Sequence, residues 1–296
     1  CMDKAFRMLR DDDRPFGGVR VIMVGDFKQL RPVIGNFVFD CNLFREMDFV
    51  PLKLEQIVRT DQPEYLQFQQ DISRPGGCML SALPFVQSRW IGDDTLGEDA
   101  YNHTHLYDTN KKALAWNDEA IARLFPSAQF EKFPLWDQSK ERTDPRIIEL
   151  CIGMRVMITA NSPNLVCVNG DIGTIVSFAK VVRADDTEAL TPVVRLKRNL
   201  SEVPVPWKSL PVYENGKKTD KCDHYLPCRP AYASTVHKFQ GITTDGIVIH
   251  SYHQTHGKMF VAATRCQNGD SLFFHKEDMR PDPRTIFDDS IPSIDF

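Results

Sequence analysis

The 296-residue chain has no run of 18 apolar residues, which argues against a membrane-spanning helix. Its first thirty residues, beginning CMDKAFRMLRDDDRPF, hold no signal-peptide apolar core. Its eight cysteines are therefore expected to be reduced thiols of an intracellular protein rather than a disulfide framework. None stands in the paired C-x-x-C spacing of a structural zinc site. The tightest grouping, Cys222, His224 and Cys228 in CDHYLPC, reads as a loop with unconnected thiols, and no metal ligand set is assigned. A surplus of positive charge is also missing. With 36 basic against 40 acidic residues the formal net charge is -4, so a nucleic-acid surface has to be a local patch. What is present is ordinary globular material: 42% hydrophobic and 26% charged residues, enough for one large domain or two of common size.

Residues 21–33 read VIMVGDFKQLRPV, an apolar run that stops at Gly-Asp and continues into a polar hook. A strand without polar alternation is usually covered on both faces, as in a parallel α/β sheet. Ligands in such sheets bind outside the carboxyl ends of the strands, where Asp26, Lys28 and Gln29 would stand.

The same pattern recurs. Residues 3–10 suit a short helix, 42–47 a helical turn, and 63–73 a helix with Pro63 at its first position. Val19 to Gly25 and residues 50–59 read as strands. HTHLYDTN (103–110) reads as a strand whose polar end carries Thr109 and Asn110. After it Leu114, Asn117, Ile121 and Leu124 recur at helical spacing. Repeated strand, hook and helix imply an α/β sheet. From Cys151 to about Pro230, short alternating strands at 155–159, 171–182, 191–198 and 203–210 predict a small β-barrel. Then STVHKFQG (234–241) reads as a helix start, DGIVIH as a buried strand, HGKMFVAATR as a helix and DSLFFH as a last strand. A barrel inserted into an α/β domain accounts for this order without a long structureless loop. The acidic, Pro-rich tail from 279 reads as a frayed terminus, with a partner-binding peptide as the alternative.

VGDFKQLRPV resembles the third motif of the superfamily-one DNA helicases, in the branch of the PIF-type and RecD-like enzymes. Four more stretches agree, in the family's order. FGGVRVIMVGDFKQLRPV extends the first match upstream, and LEQIVRTDQPEYLQFQQDIS is similar to the fourth motif. GMRVMITANSPNLVCVNGDIGTIV is similar to the start of the family's inserted barrel. YASTVHKFQGITTDGIVIH and FVAATRCQNGDSLFF are similar to the fifth and sixth motifs. The ordered set, over roughly 16–275, is far more specific than any single motif. The chain departs from the pattern at Arg31, where Pro is usual, and at Ala263-Thr264, where Leu-Ser is common.

The resemblance implies RecA-like P-loop NTPase folds: the end of a first domain (1–50) and a second domain in two segments (51–150 and 231–278). Between those segments would lie the small inserted β-barrel (151–230), with a tail at 279–296. It also implies an ATP- and Mg2+-dependent motor working on single-stranded DNA and duplex junctions. That motor would be a monomer, with other replication or repair proteins as possible partners, would travel 5′ to 3′ in the family's usual manner, and would serve repair, recombination or telomere maintenance. Gln29 would orient a water or touch the terminal phosphate. Arg59 and Arg265 would neutralise phosphate charge, as arginine fingers do. For an isolated arginine, a surface salt bridge is the alternative. Asp26, Gly241 and Asp245 would lie at the nucleotide, although Asp26 reads equally as a structural residue. Thr109, Asn110, Thr235, His237 and Lys238 would grip the strand, mainly through phosphate and sugar. His237 also reads as a hydrogen-bonded core histidine, and Phe39, Trp207 and Phe239 read either as stacking platforms or as core.

Two parts of such a motor are missing. The phosphate cradle G-x-x-x-x-G-K-[ST] does not occur: Gly-Lys stands only at 216–217 and 257–258, with Pro211 and Tyr252 where the first glycine belongs. No Asp-Glu pair precedes residue 21, and Cys1-Met2-Asp3-Lys4 resembles the continuation just after the family's acidic pair. The expectation is a fragment of a helicase that does not hydrolyse ATP by itself. The alternatives are a helicase-derived nucleic-acid-binding module without a motor, and a superfamily-one motor acting on RNA.

Overall fold

Residues 104–107, Thr-His-Leu-Tyr, form a strand both of whose faces are covered. In the computed structural model all four of its residues are buried, and so are all three of Ile247–Ile249. The structure describes residues 2–275 apart from 31, 33, 34, 36, 48, 51, 55, 74–78, 93, 94, 136–145, 215, 216 and 251–256. The tail from 279 therefore lies outside the described residues. Among them no helix is long and apolar enough to cross a membrane. Contacts divide the chain into two units, one containing 2–85 and 257–261, the other 86–250 and 262–275.

In the first unit lie helices α1 (Met2–Arg10), α2 (Asn42–Glu46) and α3 (Pro63–Ile72), and α4 (Met79–Gln87) begins there. The Asp3 carboxylate is buried, accepts the Phe16 N–H at 2.7 Å and pairs with Arg7 at 2.9 Å. Those bonds hold its pKa below the usual carboxylate range, the backbone N–H contributing most. They fix a turn in which Phe16 and Gly17 are left-handed. A Cβ at Gly17 would lie 2.6 Å from the Phe6 carbonyl oxygen, so only glycine fits. Tyr65, Phe68 and Phe85 form a stacked aromatic core.

Two sequence expectations fail in this unit. None of the described residues of 19–25 and 50–59 belongs to a strand. Ile22 is 85% exposed, Val24 94% and Leu54 96%. Apolar β-branched sequence supplies the local preference, but a strand exists only where a neighbour completes its hydrogen bonds. Among the described residues no neighbour does so for these two segments.

The second unit continues with β1 (Trp90–Ile91), β2 (Thr104–Tyr107) and helix α5 (Asn110–Leu124). Then come β3 (Glu131–Leu135), β4 (Arg146–Leu150), β5 (Arg155–Ile158), β6 (Ile172–Val182) and β7 (Glu188–Leu196). They are followed by β8 (Glu202–Pro204), β9 (Lys208–Glu214), β10 (Lys217–Tyr225) and β11 (Cys228–Pro230). The last strands of this unit are β12 (Ala233–Thr235), β13 (Ile247–Ile249) and β14 (Leu272–His275), and between the last two lies α6 (Lys258–Ala263), most of which belongs to the first unit. Strands β1, β14, β13, β2 and β12 form a wholly parallel sheet in that order. Helix α5 lies against β2 and β12 with Ala113, Asn117 and Ala120 inward.

Between α5 and β12 the chain leaves this sheet and builds antiparallel structure, as the change of composition predicts. Strands β11, β5, β6, β7 and β8 form a five-stranded sheet, with two further hairpins, β3–β4 and β9–β10. The strand expected over 203–210 is broken in two. Pro206 has no N–H to donate and falls between the end of β8 and the start of β9. Arg155 anchors this insert to the parallel-sheet region. Its guanidinium donates to the carbonyls of Asn102 (2.8 Å), His103 (2.7 Å) and Ala231 (3.1 Å) and lies 4.8 Å from the Tyr232 ring centroid.

At the sheet's carboxyl end a buried imidazole pair crosses from β2 to the residue after β13. His105 Nε2 lies 3.0 Å from the Ala100 carbonyl, so it carries the proton and donates. His105 Nδ1 is then left to accept from His250 Nε2 at 2.8 Å. Trp116, Tyr107 and His275 stack around the pair. The arrangement requires His105 to be neutral, because its Nδ1 accepts. Burial pushes the pKa of His105 well below its ordinary value and that of His250 down to about 3, with neighbouring histidines adding to both shifts. The unfolded chain binds these protons below about pH 6.5 and the folded chain does not. The stabilisation is therefore complete above that pH and is lost as the pH falls below it, by up to about 1.4 kcal/mol per pH unit for each ring. Urea unfolding should show a midpoint that drops from pH 7 to pH 5 and a shallower drop in His250→Phe. Identical pH slopes in the two proteins would contradict the neutral-pair assignment.

Candidate nucleic-acid interface

The start of α5 and the end of β12 emerge side by side. Thr109 caps the helix, its hydroxyl accepting the Lys112 N–H at 3.4 Å, and Asn110 is the first helical residue. Lys238 Nζ donates to Asn110 Oδ1 at 2.7 Å, joining two proposed strand-gripping segments that lie 128 residues apart. Lys111 is exposed next to them, while Lys112 pairs with Asp108 at 3.6 Å. The helix N-terminal amides and the exposed lysines together make a local positive patch on a chain of negative net charge.

The helix start expected over 234–241 is not there. Ser234 and Thr235 belong to the buried strand β12, in register with Leu106 and Tyr107. One 3-10 turn follows, His237–Phe239, and Gly241 at φ +83° ends it. A parallel pairing with β2 outcompetes the helix because it buries the β-branched Thr235. Phe239 is buried in the core and anchors the turn, which leaves His237 and Lys238 exposed. Trp207 is half-buried against the insert core, its indole N–H donating to Leu190 O at 3.2 Å, and Phe39 stacks on Phe37.

A residue with no functional assignment from the sequence sets this geometry. Asn117 is buried on the inner face of α5, and its amide is fully used. Nδ2 donates to Ala113 O (2.8 Å) and Ala233 O (2.9 Å). Oδ1 accepts from Tyr232 N (3.0 Å) and Ala233 N (2.9 Å). The available signal was a polar residue at an apolar helical position. It reads as periodicity until the strand it binds is known.

The residues assigned to the nucleotide fall in different places. In the first unit, Asp26 Oδ1 accepts the Lys28 N–H at 3.0 Å and Oδ2 accepts from Gln29 Nε2 at 3.2 Å, so Asp26 shapes the hook that presents Gln29. Gly257, buried at φ +70°, lies against that hook. A Cβ there would fall 2.5 Å from the carbonyl oxygens of Lys28 and Gln29. Arg59 is exposed, four residues before the start of α3. Arg265 lies in the second unit, 4% exposed, with Nη2 3.0 Å from Thr264 Oγ1. Its carbonyl accepts the Thr244 N–H at 3.0 Å. Asp245 is ion-paired with Lys197 of the insert. Among the described residues no three His, Cys, Asp or Glu side chains are grouped to hold a metal ion. His224 is engaged with Ser209 and Asp185 rather than with the neighbouring thiols.

No protein-family model matches the chain. The human ATP-dependent DNA helicase PIF1 is 25% identical over 303 residues, which is 96% of this chain and 45% of the relative. The crystal structure of the Pif1 helicase from Candida albicans matches with TM-score 0.72 at 19% identity, covering 97% of this chain and 69% of that one. Bacteroides Pif1 in complex with ADP-AlF3 and ssDNA matches with TM-score 0.69 at 21% identity, covering 97% and 68%. The fold is thus the RecA-like α/β fold of these helicases. Relatives matching across the chain are PIF1-family ATP-dependent DNA helicases, and the chain spans under half the length of relatives such as human PIF1.

Asn117→Ala removes the partners of two buried N–H groups and one carbonyl at 232–233. At about 1–3 kcal/mol for each orphaned group, a loss of about 3 kcal/mol or more in urea unfolding is expected. A loss under about 1 kcal/mol would contradict the assigned role.

Proposed function

We propose that this chain is the strand-binding portion of an ATP-dependent DNA helicase. It would hold single-stranded DNA at the patch made by Thr109, Asn110, His237 and Lys238, with Thr235 fixing the turn from below. The observation that carries this reading is the Lys238–Asn110 contact at 2.7 Å, which unites a cationic turn and a helix N-terminus at one sheet edge. Such groups contact phosphate and sugar without reading bases, as a motor that must pass any sequence requires. The Bacteroides relative in complex with ssDNA supports the choice of ligand.

For the nucleotide, the residues present fit part of the task. Gln29, held by Asp26, carries an amide able to orient a water or meet a terminal phosphate. The guanidinium groups of Arg59 and Arg265 can neutralise phosphate charge. Gly241 leaves room for a close approach, with nothing within 4 Å of where its Cβ would stand. The carboxylate of Asp245 already engages Lys197, which weakens the case for a sugar contact. The cradle for the inner phosphates and the ligands for Mg2+ are not among these residues, so hydrolysis requires further polypeptide that supplies them. The exposed apolar segments at 19–25 and 50–58 fit a lobe that needs additional sheet to cover it. In the complete motor, action at duplex junctions and 5′ to 3′ travel are what the family resemblance implies.

Fluorescence anisotropy with a labelled oligothymidylate tests the binding reading. The chain should bind it, and Lys238→Ala should weaken binding and lower the log–log salt slope by about 0.7, one single-strand phosphate contact. An unchanged slope, or no binding by the wild type, would overturn it. The 296-residue chain alone should release no phosphate from ATP with or without oligonucleotide. Helicase-like turnover would contradict the division of labour.

A further inference from the structure

We infer that Lys197 and Gly170 of the antiparallel insert are positioning residues for the segment 242–245, and through it for the strand-holding turn. The inference rests on the nucleic-acid reading for its functional meaning, but its structural basis is independent of it. Two contacts from separate loops of the insert converge on this short segment. Gly170, at φ +93°, lies against the buried side chain of Ile242, so closely that a Cβ there would stand 2.8 Å from Ile242 Cγ1. Three residues further on, the carboxylate of Asp245 is ion-paired with Lys197 Nζ.

Neither loop is free to drift. The Arg198 guanidinium pairs with Asp171 at 2.9 Å and donates to Val166 O at 2.7 Å, while the other Asp171 oxygen accepts the Val168 N–H at 2.9 Å. Lys197 N donates to Ile172 O at 2.9 Å, which ties the two loops to each other. The insert therefore presents a preformed surface to segment 242–245. On its other side, that segment bonds to the backbone after α6. Thr244 N donates to Arg265 O at 3.0 Å, and Cys266 Sγ contacts Asp245 O at 3.1 Å. On its N-terminal side two residues separate it from His237–Phe239, and Ile242 N donates to Phe239 O at 3.2 Å. The segment is thus a junction between the insert, the Lys238 turn and Arg265, and a shift at any one arm is transmitted to the others. An exposed ion pair alone would contribute little. Combined with the Gly170–Ile242 apposition, it fixes the segment at both ends.

Charge reversal with a compensating swap tests this in the intact 296-residue chain. Amide hydrogen exchange over 236–246 should quicken several-fold in Lys197→Glu, which sets two carboxylates against each other, and in Gly170→Val. It should return to the wild-type rate in the double variant Lys197→Glu/Asp245→Lys. Oligothymidylate affinity should follow the same pattern, low in the single variants and recovered in the swap. Exchange that is unaltered in Lys197→Glu, or not restored by the swap, would overturn the positioning role. If exchange follows the pattern while affinity does not, the positioning role stands and the nucleic-acid reading fails.

Discussion

The four hydrogen bonds of the Asn117 amide are the constraint on which the candidate interface depends. Strand β12 has only three residues and lies at the edge of the parallel sheet, with β2 as its single sheet neighbour. Pairing on one side leaves the backbone of 232–233 short of partners. A buried amide on α5 supplies them while also bonding to its own helix. Because Asn117 is two turns from the helix start and β12 is one residue from the exposed turn, this one side chain sets the spacing between Asn110 and Lys238. The Lys238–Asn110 contact then closes the arrangement at the solvent end.

The insert is bound into the second unit more closely than an appended module would need to be. Arg155 donates to three carbonyls, two before β2 and one before β12, so the strand that opens the five-stranded sheet is also a clamp on the parallel one. A cation held by neutral carbonyls over an aromatic ring tolerates burial because its donors are satisfied, even as desolvation lowers its pKa. The first unit contrasts with this. Its helices have a small aromatic core, but apolar residues such as Ile22, Val24, Leu52 and Leu54 are exposed among the described residues.

How much could be read from the sequence follows from the same physics. The strand at 247–249 was legible because continuous burial leaves a continuous apolar run, and those at 104–107 and 272–275 were legible with a polar residue among their buried positions. Helix α5 was legible in the recurrence of Leu114, Asn117, Ile121 and Leu124, although of these only Asn117 is buried and the inward face is completed by Ala113 and Ala120. The run at 19–25 is just as apolar and is not a strand, since pairing belongs to neighbours and not to the run itself. The segment 234–241 was misread as helical because Ser-Thr before an apolar residue looks like a cap. The parallel pairing of Thr235 with Tyr107 was invisible without the fold. The hook was legible in Asp26 and Gln29, whose mutual hydrogen bond follows from their spacing. Asn117, the His105–His250 pair and the Lys197–Asp245 contact were not legible. Each depends on side chains brought together from well separated parts of the chain.

The central claim is that single-stranded nucleic acid lies over the edge where α5 begins and the Lys238 turn ends. Lysine-reactive footprinting with mass spectrometry, with and without saturating oligothymidylate, tests it most directly. Lys238 and Lys111 should become protected, while Lys132 and Lys180, exposed on the insert, keep their reactivity. Protection at Lys132 and Lys180 with none at Lys238 would contradict the account.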